Sequence, residues 1–164
     1  MVDAFNEEIK TYIMRLSEQA LNREESRREM MVLTFANDVE TIGDIVDKNL
    51  MELAKKRLKL QVEFSREGWV DLEDVFGRVQ SNFEMAVAVF ASRDRKLARE
   101  LVRRNQQLGE LESELRNRHF HRLHEGLTES AETSAIHLDI LTNLKHINTH
   151  LTAVAEAVPK NIQA

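Results

Sequence analysis

Cysteine is absent from this chain of 164 residues, so a disulfide framework, a thiol nucleophile and a cysteine zinc site are all excluded. The absence fits a reducing compartment. One proline, five glycines and 5% aromatic residues leave little chemistry for turns and strands. The longest apolar run, Met85 to Ala91, is far short of the ~20 residues that cross a bilayer, and no charged segment followed by an apolar stretch opens the chain. No transmembrane segment is therefore expected, and the chain reads as soluble. A net charge of -5 argues against a general nucleic-acid role. Basic residues still cluster at Arg23, Arg27 and Arg28, at Lys55 to Arg57, and from Arg93 to Arg104, and they read as solvated helix faces.

What is present is helical periodicity. The composition and length predict one all-α domain, an antiparallel bundle of about five helices with a real core. The first helix is expected from Asp3 to Leu21, with Phe5, Ile9, Tyr12, Ile13, Leu16 and Ala20 at intervals of three and four. Ser26 followed by Glu29 reads as a capping box, so a second helix should start there. It runs to about Leu60 with Met31, Phe35, Val39, Ile42, Val46, Leu50 and Leu53 on one side. The alternating Leu58, Leu60, Val62 and Phe64 read as a helix end and connection, because no partner strand exists elsewhere.

Ser65 is a candidate cap for a third helix whose Trp69, Leu72, Phe76, Val79, Phe83, Val87 and Phe90 are expected to form an aromatic core. Ser92 is the expected cap of a fourth helix carrying Leu97, Leu101, Leu108, Leu111 and Leu115 inside. Gly126 then Leu127 suit a Schellman close, Thr128 or Ser130 should cap the last helix, and Pro159 should stop it. Connections this short predict an up-down-up arrangement of helices three to five.

The last helix presents two stripes. At roughly 100° per residue, Ile140, Leu144, Ile147, Leu151, Val154 and Val158 gather on one side, and Asp139, Asn143, His146 and His150 on its flank. Histidines four apart can clamp one metal from consecutive turns, with Asp139 as a further ligand; the alternative is a polar rim beside the core. On the second helix Glu40, Asp44 and Asp47 lie within roughly 60° of one another, opposite its apolar face. They can bind a cation or simply keep that face wet. Arg116, Arg118, His119, His121, Arg122 and His124 crowd the end of the fourth helix, where cations favour the helix dipole; the alternative is a pH-sensitive or phosphate-attracting patch. No Glu-x-x-His pair of the di-iron type lies on the inward faces, and no nucleophile with a paired base is evident, so an enzyme is not expected.

Helices two and five look like diverged copies, with Glu40-Thr-Ile-Gly-Asp44 laid over Lys145-His-Ile-Asn-Thr149. The first copy resembles the E-R-I-G-D signature of the PhoU family, phosphate-uptake regulators built of two similar three-helix bundles. The segment from Leu115 through His121-Arg-Leu-His-Glu-Gly126 and Glu129-Ser-Ala-Glu-Thr-Ser134 to His137 and His150 is similar to the PhoU-like cytoplasmic tail of bacterial sodium/phosphate cotransporters; the likeness is densest over residues 115 to 155.

That resemblance implies a non-enzymatic regulatory domain that modulates phosphate uptake at the cytoplasmic face of the inner membrane, with the transporter's membrane domain as partner. The alternatives are a metal-binding helical bundle and a structural adaptor, both unrelated to phosphate. It also implies an incomplete first unit over 1–61, without a counterpart of the aromatic helix, and a complete one over 65–158. A homodimer would cover the apolar faces left bare in the first unit. In the family the acidic motif, with an asparagine four residues beyond its aspartate, supplies ligands to iron or zinc clusters. Glu40 and Asp44 match it, but Lys48 replaces the asparagine, and the second copy has Lys145, Thr149 and Ala153, with only His150 beside the lost acid still fitting. No certain cofactor follows, and a divalent metal (zinc, iron or nickel), if bound, is expected to be weakly held.

Overall fold

The computed structural model describes residues 2–18 and 20–158. Its elements are α1 (Val2–Ser17), α2 (Arg23–Asp44), a π-helical turn (Ile45–Leu50), α3 (Met51–Leu60), α4 (Arg66–Ser92), α5 (Arg95–His124) and α6 (Thr128–Glu156). Because α2, the π turn and α3 follow without a break, they make one long rod, and the described residues form five rods with no strand. The all-α expectation holds.

The helix boundaries follow local chemistry, with four corrections. The second helix starts earlier than Ser26, since Asn22 and Glu25 form the capping box: Asn22 accepts from the Glu24 and Glu25 amides, and Glu25 accepts from the Asn22 amide. Ser26 instead donates to the Asn22 carbonyl, and Glu29 accepts from Ser17. The first helix ends at Ser17 rather than Leu21. Arg93 takes a left-handed conformation (φ 55°) that ends α4, and Asp94, not Ser92, caps α5 by accepting from the Lys96 and Leu97 amides. Neither Thr128 nor Ser130 caps α6; Leu127 occupies the cap position without a side-chain bond, and the Ser130 hydroxyl turns inward to Ser65.

Two expectations at the ends of α4 and α5 hold. Ser65 caps α4 by accepting from the Gly68 amide. Gly126, at φ 77°, closes α5 with the paired Schellman bonds from Leu127 to the Arg122 carbonyl and from Gly126 to the Leu123 carbonyl. Pro159 lies outside the described residues, among which α6 ends at Glu156.

Helices α4, α5 and α6 form an antiparallel bundle, as connections of two and three residues require. Its seam is Leu72, Val75, Val79, Ala86 and Val89 from α4, Ala98, Leu101, Leu108 and Leu115 from α5, and Leu141, Leu144, Ile147, Leu151 and Val154 from α6. The aromatic ladder of α4 is not that seam. Trp69 is 47% exposed and Phe76 58%, and Phe83 and Val87 are also open. Small residues let three helices approach closely, so the bulky ones are displaced one step around α4, onto the flank toward the rod. There Phe90 stacks on Phe35 at 4.2 Å and Trp69 meets Phe64 at 6.1 Å.

The rod lies across α6, with Phe35, Ile42, Ile45 and Leu50 against the core, and α1 packs on α2. The π turn interrupts the simple periodicity of the rod. Its wider winding, seen in the bond from the Met51 amide to the Val46 carbonyl, turns Val46 outward instead of onto the shared apolar face. Helix α1 is covered on one side only: Ile13 is buried, while Phe5 and Tyr12 are exposed. Among the described residues no helix is long and apolar enough to cross a membrane.

Candidate functional site

The acids on the rod lie in and just before the π turn, and two of the three are already engaged. Glu40 accepts from the Asn6 amide at 3.1 Å, Asp44 pairs with Lys48 at 2.7 Å, and Asp47 stands exposed on the turn itself. The Asp44 bond and charge raise the Lys48 ammonium above its ordinary value. The replacement of the expected asparagine by lysine thus puts a cation directly on one of the two matching acids.

The polar stripe of α6 is divided rather than gathered. Asp139 and Asn143 border a cleft with Lys48, Asn49, Glu52 and Lys56, where Asn143 accepts from Asn49 at 2.7 Å. His146 is exposed. One turn on, His150 Nδ1 meets Asp38 Oδ1 of α2 at 2.9 Å, a contact that pins the rod to α6. Among the described residues no group of three or more His, Asp or Glu side chains is placed to share one metal ion.

The strongest constellation lies at the end of the bundle where α4 begins, α5 ends and α6 begins. Arg122 Nη1 donates to Asp71 Oδ2 at 2.8 Å, and Arg118 lies 3.4 Å from the other oxygen. Both Asp71 and Arg122 are buried, and the Nε and Nη2 of Arg122 have no protein partner. Beside them the His119 and His137 rings stack with centroids 4.7 Å apart. His137 Nε2 donates to the Gly68 carbonyl at 3.2 Å, which fixes its tautomer, and its Nδ1 is unpaired. Burial, the neighbouring His119 and the Arg122 charge push the His137 imidazole down to about 4. Burial and Arg122 also lower His119, with Asp71 opposing. Both rings are neutral at pH 7.

This end of the bundle splits the basic cluster at the end of α5. His121 and His124 are exposed near the helix terminus as the dipole reading requires, but His119 and Arg122 point inward. It also brings Ser134 Oγ within 2.8 Å of His119 Nε2, a serine–histidine contact invisible in the sequence. His119 is 1% exposed, while Ser134 is half-buried.

Two more buried polar links cross the bundle. Asn82 donates to Asn148, which donates to Asn105, joining all three helices. Glu112 accepts from Arg116 and from Lys145 at 3.0 Å. Burial works to raise the Glu112 carboxyl, and those two cations overcome it, leaving it below its ordinary value. A signal for these residues was present: Asn82, Glu112 and Asn148 each sit three or four positions from core residues on both sides, where an apolar side chain is expected.

The chain thus folds as a three-helix bundle packed against a pair of helical rods, α1 and the long rod. The PhoU domain model matches residues 72–158, and the chain belongs to that family. The YjbB proteins of Salmonella typhimurium LT2 and Escherichia coli K12, whose names assign them provisionally to inorganic phosphate export, are 34% and 33% identical over 150 residues. Those residues are 92% of this chain but 28% of each relative, so the chain spans little more than a quarter of their length. A phosphate-specific transport system accessory protein of Thermotoga maritima, PhoU homolog 1, is 26% identical over 163 residues, covering 96% of this chain and 67% of the relative. No solved structure matches the chain.

Proposed function

We propose that this domain regulates the passage of phosphate across a membrane without catalysing a reaction, as the cytoplasmic tail of a phosphate transporter of the sodium/phosphate cotransporter kind. The observation that carries this reading is the relation over nearly the whole chain to proteins several times its length whose names concern phosphate export. The relation to a transport accessory protein supports regulation rather than chemistry. Its polar interior fits that role: Asp71 pairs with Arg122, and His119, the base of the serine–histidine contact found among the described residues, is buried. The membrane portion of the transporter is then the partner, and the domain works at the cytoplasmic face of the inner membrane.

Two further parts of the reading concern assembly and metal. Residues 1–61 act as an incomplete unit whose bare apolar face, with Phe5 and Tyr12 exposed, is covered in a homodimer. Any zinc, iron or nickel is held weakly through Glu40, Asp44 and Asp47 or through Asp139, His146 and His150, because Lys48 already neutralises Asp44 and Asp38 already occupies His150. The deciding experiment measures phosphate flux in cells whose full-length transporter carries or lacks this tail. Altered flux on removal supports regulation, and unchanged flux with normal transporter abundance removes it in favour of a structural adaptor.

A further inference from the structure

Around α3 the charge balance of the chain reverses. The whole chain carries -5, yet Lys55-Lys-Arg-Leu-Lys-Leu60 holds four cations and no acid. Two residues of α3 turn inward. Leu53 lines an apolar groove shared with Phe64, Trp69 and Ile140, and Arg57 lies over the Phe64 and Trp69 rings at 5.3 and 5.9 Å while donating to the Val62 carbonyl. At roughly 100° per residue, the side opposite Leu53 and Arg57 carries Met51, Glu52, Lys55, Leu58 and Lys59, while Ala54 lies at the edge of the groove.

That outer face is apolar and basic at once. On it Leu58 is 72% exposed and Met51 about half exposed, and α3 has no fully buried residue. Lys56 and Lys59 make no ion pair among the described residues, and the Glu52 partner of Lys55 is itself exposed. The C-terminal dipole of α3 favours these cations, but it gives no reason for leucines in water between them. Single exposed leucines are ordinary; two large apolar side chains interleaved with two lysines on one exposed helix face form the pattern of a segment lying in a lipid interface.

We propose that this face of α3 docks on a membrane leaflet rich in anionic lipid, with Met51 and Leu58 entering the headgroup layer and Lys55 and Lys59 on the lipid phosphates. The lysines complement the charge of such a surface. A protein interface of this composition is disfavoured, because lysine is depleted from interface cores and α3 offers no concave seat on its outer side. Nucleic acid is disfavoured by the overall negative charge and by leucines standing where backbone phosphates would lie. Attachment that rests on these lysines weakens with salt.

The full chain is to be sedimented with vesicles of phosphatidylcholine alone and with vesicles containing one third phosphatidylglycerol. Binding at least ~10-fold tighter to the anionic vesicles is expected, falling in high salt. Lys55→Glu/Lys59→Glu should abolish it, Leu58→Asp should weaken it ~10-fold, and Arg95→Glu/Arg99→Glu on α5 should leave it unchanged, with helicity checked for each variant. Inorganic phosphate at matched ionic strength should not displace the protein. No sedimentation, equal binding to both vesicles, loss no greater in the α3 variants than in the α5 variant, or displacement by inorganic phosphate would each overturn the proposal; so would an α3-dependent protein partner found where vesicles fail. The test is independent of phosphate flux, so vesicle binding without a flux effect keeps this inference and removes only the regulatory reading.

Discussion

Arg122 and Asp71 form an ion pair across 2.8 Å with both side chains more than nine-tenths buried, linking the end of α5 to the start of α4. An ion pair taken out of water is worth little net, but removing one partner strands the other charge. Asp71→Asn should therefore cost about 3–5 kcal/mol in urea unfolding. Asp71→Leu/Arg122→Met should cost less than either single change, since it leaves no uncompensated charge. A double variant as unstable as the sum of the singles would contradict this account.

The stacked His119 and His137 rings make the bundle sensitive to acid. Both imidazoles are depressed in the folded protein, His137 to about 4, whereas an unfolded chain takes up protons near pH 6.5. The unfolded state thus binds more protons below that value. Stability contributed by the neutral His137 ring is full above pH 6.5, falls as the pH drops and is lost by about pH 4, and the lowered His119 acts in the same direction. The loss from His137 alone is on the order of 3 kcal/mol. Urea midpoints measured from pH 7 to pH 4 should show it, and His137→Phe should flatten the slope although its stability at pH 7 is lower.

Asn148 both donates and accepts inside the bundle, between Asn105 and Asn82. Replacing it with alanine strands the buried Asn82 donor and the half-buried Asn105 acceptor and opens a cavity. A loss of about 2–4 kcal/mol is expected from thermal or urea unfolding, with a smaller loss for Ser113→Ala on the exposed face of α5.

Metal retention tests the two polar stripes. Purified protein dialysed against a mild chelator should hold no stoichiometric zinc, iron or nickel, and Glu40→Gln/Asp44→Asn and His146→Ala/His150→Ala should leave its metal content unchanged. A stoichiometric metal that survives dialysis would refute weak binding, and the variant that loses it would locate the site.

Exposed aromatics on α1 and α4 test assembly. Light scattering at high micromolar concentration should give a dimer, and Phe5→Glu/Tyr12→Glu should shift it to monomer with little change in helicity. A monodisperse monomer from the unaltered chain would reject the homodimer.

Helix number, the order of long and short helices, the Ser65 cap and the Gly126 close were all legible along the chain, because periodicity and capping are local and need only a few neighbouring residues. The nearby competition between Asn22 and Ser26 shows the limit of that locality: both can cap, and only the formed helix selects one. Which face of α4 turns inward was not legible. Apolar residues occupy more than half of its circumference, and the close approach of three helices admitted Val75, Ala86 and Val89 while displacing Trp69, Phe76 and Phe83 toward the rod. The family motif and the two candidate metal stripes could be read from spacing, but their partners could not, since Asn6 with Glu40 and Asp38 with His150 meet only when distant segments pack. The same holds for Asp71, Arg122, His119 and His137. Burial, charge pairing and the neutral state of the histidines are properties of their surroundings, and tertiary structure alone created those surroundings.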